Sequence, residues 1–332
     1  MTFTAAENRI RRSHVPEDCE DFMKLHLRTM IAICTTLLAL TSISMQAAGL
    51  NAPRLELTAD SGWKFLLGDP GGAEAPSFAD NAWRTVNLPH DWSIEGRPEK
   101  SNPTGAGGGF FPAGIGWYRK SFSAPEHWRG KRVSIEFDGV YRDSTVYLNG
   151  HKLGAHPYGY TSFAFDLTSN LSFTTENLLA VRVDNSAQPN SRWYSGSGIY
   201  RRVRVVVTDS THVAHWGVFV TTSKISNGAA TVSIQTKVAN ESDQSTGVTV
   251  KTTLYDRAGH QAGTNESPLA IAPGKQIGAV QTIAVANPAL WSPASPTLVP
   301  SPRSAEIERS SIRLRRRLEF VHSRGRPRRG YF

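Results

Sequence analysis

Between residues 55 and 207, hydrophobic side chains recur at every second position in several short runs. Residues 132–138 place Val133, Ile135 and Phe137 on one face of a strand. A further alternating run lies at residues 161–167, and residues 178–183 and 202–207 are apolar runs that also read as strands. A period of two predicts half-buried strands, and no run with a helical period separates them. The pattern therefore predicts an antiparallel β-sandwich or jelly roll.

A tight hairpin is predicted at residues 144–153, because Asn149 and Gly150 separate two apolar runs. Asn-Gly tolerates the positive φ angles of a type I′ turn. A second, shorter set of strand patterns lies at residues 218–221, 230–238, 248–255 and 277–283. Several short strands in so small a unit are typical of an immunoglobulin-like sandwich. We therefore predict an all-β chain, with a jelly-roll β-sandwich over residues 48–210 and an immunoglobulin-like β-sandwich over residues 211–298.

The start of the chain has a different character. Residues 23–47 contain a short basic start and an apolar stretch at 30–43, and small residues follow at 47–49. This is the pattern of a secretory signal peptide with cleavage near residue 47. A membrane anchor is the weaker alternative, because a spanning helix needs about 20 apolar residues. We interpret Met23 as the initiator and residues 1–22 as a spurious extension, and we expect a secreted or periplasmic protein with no membrane association after cleavage.

Charge is concentrated at the other end. The formal net charge is +9, but residues 301–332 contain ten arginines, three glutamates and neither lysine nor aspartate, a net +7 that leaves +2 for residues 1–300. Because residues 1–300 are nearly neutral, they give little support to the prediction of a nucleic-acid partner. Residues 299–332 are predicted to form a disordered, Arg-rich tail. Three origins stay open for it: a basic tail for anionic partners, a solvated end, and the product of a frameshift.

The remaining composition excludes several kinds of chemistry. Both cysteines, Cys19 and Cys34, precede residue 48, so neither a disulfide framework nor a cysteine metal site is predicted in the mature chain. The glycine-rich residues 105–109 lack the following Lys and Ser/Thr of a phosphate loop. His90 and Asp91 have no serine or cysteine partner in a recognisable motif, so we interpret them as structural. No cofactor or metal is predicted.

Eight short motifs, in one order, resemble the N-terminal sugar-binding domain of glycoside hydrolase family 2. They lie at residues 87–92, 101–105, 114–119, 137–140, 146–150, 159–163, 183–185 and 191–201, the last with the sequence SRWYSGSGIYR. Residues 287–293 resemble the segment that ends the family's second domain. The resemblance covers residues 55–298 and implies a galactose-binding-like jelly roll followed by an immunoglobulin-like domain.

The resemblance also implies a function. Members of the family hydrolyse β-galactosides, β-glucuronides or β-mannosides with retention, using two carboxyl groups about 5–5.5 Å apart. In the family both glutamates lie in a (β/α)₈ barrel that follows these domains, so no residue here inherits a catalytic role. The motif at residues 195–201 is most similar to the β-galactosidase branch. We therefore expect the non-catalytic N-terminal portion of a secreted β-galactosidase-type enzyme, inactive alone. A stand-alone carbohydrate-binding module, a β-glucuronidase- or β-mannosidase-type family member and a basic-tail scaffold are the alternatives.

Carbohydrate is the predicted partner, and three residues are its candidate contacts. The resemblance implies that Asn102 reaches the active site and hydrogen-bonds the sugar; the alternative is an Asn-Pro turn, since a residue before proline is held extended. Trp193 and Tyr194 could stack on a sugar face, as could Trp117. Aromatic rings in a sandwich more often belong to the core, so that alternative stays open for all three rings.

Four polar residues near these rings are interpreted differently. Asp184, Asn185, Asn190 and Arg192 lie before or within the SRWY motif. Asp and Asn side chains commonly hydrogen-bond to the backbone of the turn that follows them. Turn capping is therefore the preferred interpretation, and no ligand role is assigned to any one of them.

Overall fold

The computed structural model describes residues 54–191, 193–226, 228–256, 259–288, 290–291, 304–308, 311–317 and 320–321. The predicted extension at residues 1–22, the predicted signal peptide at residues 23–47 and Arg192 lie outside the described residues. The strands of the first sandwich are β1 (Arg54–Thr58), β2 (Trp63–Leu67), β3 (Arg84–Val86), β4 (Gly114–Phe122), β5 (Arg132–Phe137), β6 (Ser144–Leu148), β7 (His151–His156), β8 (Phe163–Asp166), β9 (Asn177–Asn185) and β10 (Val203–Thr208). Short 3₁₀ turns lie at Ala106–Gly108, Glu126–Trp128 and Thr168–Asn170. No helix in the described part of the chain has the length and apolar character needed to cross a bilayer.

Two antiparallel sheets pack face to face in the first sandwich. One has the strand order β1-β10-β5-β8 and the other β3-β2-β4-β9-β6-β7. Val133, Ile135 and Phe137 of β5 are all buried in the core between them, as their alternation predicts. Asn149 and Gly150 have φ angles of 52° and 82°, so the predicted hairpin between β6 and β7 is confirmed. The prediction of an all-β fold is confirmed as well.

The six-stranded sheet is covered on its outer face by the loop at residues 69–83. Ala73 and Trp83 from this loop pack on Trp117 of β4 and Ala180 of β9. This second cover explains why β9 is buried on both faces and shows no alternation.

Arg119 of β4 holds this covering loop in place. Its guanidinium is almost completely buried and donates to the carbonyl oxygens of Ala73, Ala75 and Phe78. It also pairs with the carboxylate of Asp80 at 2.8 Å. A buried cation requires such partners, because an unpaired charge in a protein interior is very costly. The loop therefore supplies the hydrogen bonds that allow Arg119 to lie inside the domain.

The second sandwich follows directly. Its strands are β11 (Thr211–Ser226), β12 (Ala229–Asn240), β13 (Thr246–Tyr255), β14 (Gln261–Ile271), β15 (Lys275–Ala286) and β16 (Leu290–Trp291). One sheet has the order β11-β12-β15, and β13 and β14 belong to the other. Val232, Ile234 and Ile283 from the first sheet contact Leu254 from the second in a buried cluster. The arrangement agrees with the predicted immunoglobulin-like unit.

Strand β14 has no counterpart in the sequence-based prediction. It lies at one edge of its sheet, pairs only with β13 among the described strands, and contains Gly263 and Pro268. Proline cannot donate to a ladder and is tolerated at an edge, while glycine weakens the strand signal. Most of its side chains are exposed or half-buried, so hydrophobic alternation is faint.

Three short strands lie in the range for which the sequence predicts disorder: β17 (Ser304–Glu308), β18 (Ser311–Arg317) and β19 (Phe320–Val321). Strand β18 pairs in parallel with β13, with Thr249 opposite Ser311, and β17 pairs with β18. The prediction of disorder is therefore wrong for these three segments. The physical reason is that β13 offers a second edge, whose unpaired backbone groups are a template for any further strand.

A buried carboxylate connects the two sandwiches. Glu136 of β5 accepts a hydrogen bond from Nδ1 of His215 of β11 at 2.9 Å. The guanidinium groups of Arg54 and Arg204 lie 3.6 and 3.4 Å from the same carboxylate. Burial raises the pKa of Glu136, but the His215 hydrogen bond and the surrounding positive charges outweigh it and leave the pKa below its ordinary value. Glu136 is thus a charged group whose partners come from both sandwiches.

Replacing Glu136 by Gln keeps the size of the side chain but removes its charge, and should lower the free energy of unfolding by about 2–3 kcal/mol. Urea titration of the full chain would measure the loss. Glu126→Ala is the control, since the Glu126–Arg129 pair is exposed and its removal should change stability little. Equal midpoints for both variants would contradict a structural role for the Glu136 cluster.

Candidate functional site

A polar cleft with an aromatic rim lies at one end of the first sandwich, where two loops meet. The loop after β3 and the loop after β9 form its walls. Its lining includes Thr104, Phe111, Gln188, Asn190, Trp193 and Tyr194. The rings offer apolar faces and the amides offer hydrogen bonds in one depression.

The carboxylate of Asp91 connects the two loops. Its Oδ1 accepts hydrogen bonds from the backbone N–H groups of Ser93 at 3.0 Å and Ser197 at 2.8 Å. Its Oδ2 accepts a hydrogen bond from the hydroxyl of Tyr194. Because one carboxylate bonds to both loops, the position of Tyr194 in the cleft depends on Asp91.

A second set of contacts lies beneath the first. The side chains of Ser93 and Ser197 are buried, and their hydroxyl oxygens lie 2.7 Å apart. Nδ2 of the buried Asn185 donates to the hydroxyl of Ser197 at 2.7 Å and to the carbonyl of Gly196 at 3.1 Å. The hydroxyl of Ser93 also donates to the carbonyl of Pro112 at 2.7 Å. These buried bonds fix the segment that follows the cleft-lining rings.

Two glycines allow this close approach. Gly196 and Gly198 have φ angles of +71° and +119°, which side-chain-bearing residues rarely adopt. A Cβ atom on Gly198 would lie 2.4 Å from the hydroxyl of Tyr118 and 2.7 Å from the carbonyl of His90. On Gly196 it would lie 2.5 Å from the carboxylate of Asp91. The alternating Ser-Gly-Ser-Gly sequence is therefore dictated by packing.

Asn102 lies on the first loop, and its amide faces that loop's own backbone. Nδ2 donates to the carbonyls of Arg97 at 3.0 Å and Phe110 at 2.8 Å. Thr104 and Phe111 of the same loop line the cleft, whereas Asn102 is not among the lining residues. The contacts are those of a residue that orders a turn, with Oδ1 left as the atom for any sugar contact. Its direct contact with sugar stays a prediction.

The candidate aromatic residues separate into two groups. Trp193 is 73% exposed at the rim of the cleft, and Tyr194 is 38% exposed with its ring 4.8 Å from that of Phe111. Trp117 is buried, and its indole N–H donates to Asp69. The core interpretation therefore holds for Trp117 and fails for Trp193.

His90 is bound inside the domain next to this site. Its Nδ1 lies 2.6 Å from the hydroxyl of Tyr118, and its Nε2 lies 3.1 Å from Arg84 and 3.2 Å from Glu95. Burial lowers the pKa of His90 below its ordinary value. Asp91 is engaged by the cleft loops instead, so these contacts agree with the structural interpretation of both residues.

The polar residues before the SRWY motif behave as turn-forming groups. Oδ1 of Asp184 accepts from the backbone N–H of Ser186 at 3.0 Å, and its carboxylate pairs with Arg182. Nδ2 of Asn190 donates to Oδ1 of Asn185. Turn capping describes Asp184, but Asn185 does more, because it bonds the end of β9 to the buried Ser197.

Phe111 and Gln188 line the cleft and were not singled out by sequence reasoning. Phe111 comes shortly after the glycine-rich residues 107–109. An aromatic ring beside a glycine-rich loop is a signal that the sequence does offer. Gln188 has no such signal, since its place depends on a turn in which Nε2 donates to the carbonyl of Asn185 at 3.1 Å. No group of three or more His, Cys, Asp or Glu that could hold a metal ion occurs among residues with described positions.

Comparison with known families identifies the family to which this two-sandwich chain belongs. Residues 60–209 match the model of the glycosyl hydrolases family 2 sugar-binding domain. Residues 211–298 match the model of glycosyl hydrolases family 2. The chain belongs to glycoside hydrolase family 2.

Individual relatives agree. The β-galactosidase BoGH2A of Bacteroides ovatus is 46% identical over 252 residues, which cover 76% of this chain and 30% of the relative. A putative β-glucuronidase of Formosa agariphila is 38% identical, and the match covers 74% of this chain and 23% of the relative. The crystal structure of a family 2 member from Bacteroides cellulosilyticus superposes with a TM-score of 0.69 at 36% identity, covering 72% and 32% of the two chains. The chain thus spans about a third or less of the length of these proteins.

Replacing Gly198 by Ala should lower the free energy of unfolding by at least about 3 kcal/mol, because the methyl group meets Tyr118 and the backbone angle is unfavourable. Differential scanning calorimetry would measure the loss. Gly247→Ala is the matched control, since nothing lies within 4 Å of its Cβ position. That control should change stability by less than about 0.5 kcal/mol. Similar losses in the two variants would refute the packing requirement.

The buried, neutral His90 should make stability depend on pH. A folded-state pKa below the unfolded one favours the neutral ring, so the contribution is complete above the unfolded pKa of about 6.5. It is lost as the pH falls from there through the folded-state pKa. His90→Gln removes this titration, so the stability difference between wild type and variant should shrink from pH 7.5 to pH 5. Chemical unfolding at both pH values measures it, and parallel curves would exclude the effect.

Proposed function

We propose that these two sandwiches are the non-catalytic, sugar-contacting N-terminal portion of a secreted, retaining β-galactosidase-type glycoside hydrolase. The observation that carries the proposal is Trp193, a large ring that is 73% exposed beside a polar cleft in a family 2 sugar-binding domain. Trp193 differs from other exposed rings in lying beside a polar cleft, and covering it with a ligand would remove much apolar area from water.

The chemistry of the cleft suits a sugar. The apolar face of a pyranose can stack on Trp193, and its hydroxyls need partners that both donate and accept. The side-chain amides of Gln188 and Asn190 at the cleft are groups of this kind, and Oδ1 of Asn102 on the first loop is an acceptor. Burial raises the pKa of Tyr194, and so does its hydrogen bond to Asp91, so its hydroxyl stays protonated at neutral pH.

The galactoside preference rests on similarity. The relative named a β-galactosidase is 46% identical, and the relative named a putative β-glucuronidase is 38% identical. We therefore propose β-galactosides as the substrate class of the whole enzyme. A β-glucuronide is the second candidate, because the structure of a β-glucuronidase from Bacteroides uniformis is also similar to this chain, with a TM-score of 0.66.

We further propose that residues 54–291 do not hydrolyse glycosides by themselves. Retention requires a carboxyl pair in which one group protonates the leaving oxygen and the other attacks the sugar. Asp91, which accepts a hydrogen bond from Tyr194 of the cleft, is occupied by three hydrogen-bond donors that order the loops. Asp184 is engaged by Arg182 and Ser186. Secretion through the segment at residues 23–47 is part of the same proposal.

Trp193→Ala should weaken binding of methyl β-galactoside to the full chain by about tenfold, because the stacking surface is lost. Isothermal titration calorimetry measures the affinity. Trp216→Ala is the matched control, since this ring is 67% exposed on the second sandwich and should leave affinity unchanged.

Three outcomes would revise the proposal. Stronger binding of methyl β-glucuronide than of the galactoside would favour the second candidate substrate. Equal affinity of wild type and Trp193→Ala would remove the cleft from the site. Turnover of a chromogenic β-galactoside by the purified chain would contradict the proposed lack of catalysis.

A further inference from the structure

Four tyrosines lie together next to the cleft. The tyrosine cluster consists of Tyr141, Tyr158, Tyr160 and Tyr200. The ring of Tyr160 lies 5.3 Å from that of Tyr141 and 5.7 Å from that of Tyr158, both in edge-to-face contact at 65°. Edge-to-face pairs of this kind are attractive and define the orientation of each ring.

The backbone beneath these rings is held by specific contacts. The hydroxyl of Tyr200 donates to the carbonyl of Gly159 at 2.8 Å. A Cβ atom on Gly159 would lie 2.2 Å from the ring of Tyr141, so the loop packs directly on that ring. Tyr141 also exchanges two backbone hydrogen bonds with Gly198, at 2.9 and 2.7 Å. The cluster is therefore an ordered part of the domain.

Despite this packing, two of the rings remain open to solvent. Tyr158 is 58% exposed and Tyr160 is 52% exposed. The guanidinium of Arg201 lies 5.5 Å from the ring centre of Tyr200, and no acidic partner for it occurs among residues with described positions. Exposed rings that are already ordered lose little conformational entropy when a ligand covers them.

The cluster is continuous with the cleft. The hydroxyl of Tyr141 donates to Oδ1 of Asn190 at 3.4 Å, and Asn190 lines the cleft. Gly198, which pairs with Tyr141, directly follows the buried Ser197 that fixes the Trp193 segment. The buried Tyr141 thus bonds to a cleft residue and packs against the exposed ring of Tyr160.

We propose that the tyrosine cluster is a second sugar-binding surface, which holds further units of an oligosaccharide whose first unit lies in the Trp193 cleft. Tyrosine rings offer apolar faces for pyranose rings, and their hydroxyls offer hydrogen bonds to the sugar rim. Arg201 adds a donor at the edge. This inference rests on the proposed function, because it needs a saccharide in the cleft.

The test compares methyl β-galactoside with β-1,4-linked galactotetraose by isothermal titration calorimetry on the full chain. Wild type should bind the tetrasaccharide at least about tenfold more tightly than the monosaccharide. The double variant Tyr158→Ala, Tyr160→Ala should bind both sugars within about twofold of each other, with the monosaccharide affinity unchanged. The double variant Tyr158→Phe, Tyr160→Phe keeps the rings and should retain most of the tetrasaccharide preference.

Two controls separate binding from folding. Phe219→Ala removes a ring that is 61% exposed on the second sandwich and should leave both affinities unchanged. Thermal unfolding of every variant shows whether the domain is intact, and unchanged monosaccharide affinity reports an intact cleft.

The outcomes distinguish the two proposals. If wild type binds neither sugar, the proposed function fails and this inference fails with it. If wild type binds both sugars equally, or the alanine double variant keeps the tetrasaccharide preference, only the tyrosine cluster is refuted. If that variant loses self-association in sedimentation velocity but keeps sugar binding, the surface is an interface between copies, which also overturns the inference.

Discussion

The buried hydrogen bonds of Ser197 are the constraint on which the candidate site depends. Its backbone N–H is held by Asp91, and its hydroxyl lies against Ser93 on the loop after β3 and Asn185 at the end of β9. Polar groups this deeply buried must be satisfied, and Asp91 and Ser93 satisfy those of Ser197 from the other loop of the cleft. The segment carrying Trp193 and Tyr194 is consequently anchored at its base while its rings stay at the surface.

The charges around Glu136, which bonds to His215 of the second sandwich, also depend on fixed partners. Glu136 is buried, so its partners cannot be exchanged for water without a large penalty, whereas the exposed Glu126–Arg129 pair can exchange its partners freely. His215 and Arg54 approach Glu136 from different strands. The contacts of Glu136 are therefore specific in direction, and they relate the second sandwich to the domain that carries the cleft.

Much of this architecture is readable from the sequence, and the exceptions have physical causes. Strand β5 is predictable because one face is wholly apolar and the other polar. Strand β14 is not, because an edge strand with an open face has no need of alternation. Trp117 is buried and Trp193 is 73% exposed. Trp117 lies on β4 and is buried by the loop at residues 69–83, a long-range cover that local pattern does not encode, whereas Trp193 lies on the loop after β9. Similarly, the role of Asn185 depends on a serine 12 positions away in the chain.

The loop held by Arg119 has a consequence for how this domain can change over time. Connections between strands ordinarily tolerate inserted residues and accumulate sequence drift, because few contacts depend on them. Here the connection forms a third layer, and lengthening it would strip carbonyl partners from an interior cation. We therefore expect the length of the loop at residues 69–83 to be constrained almost as strongly as the strands that it covers.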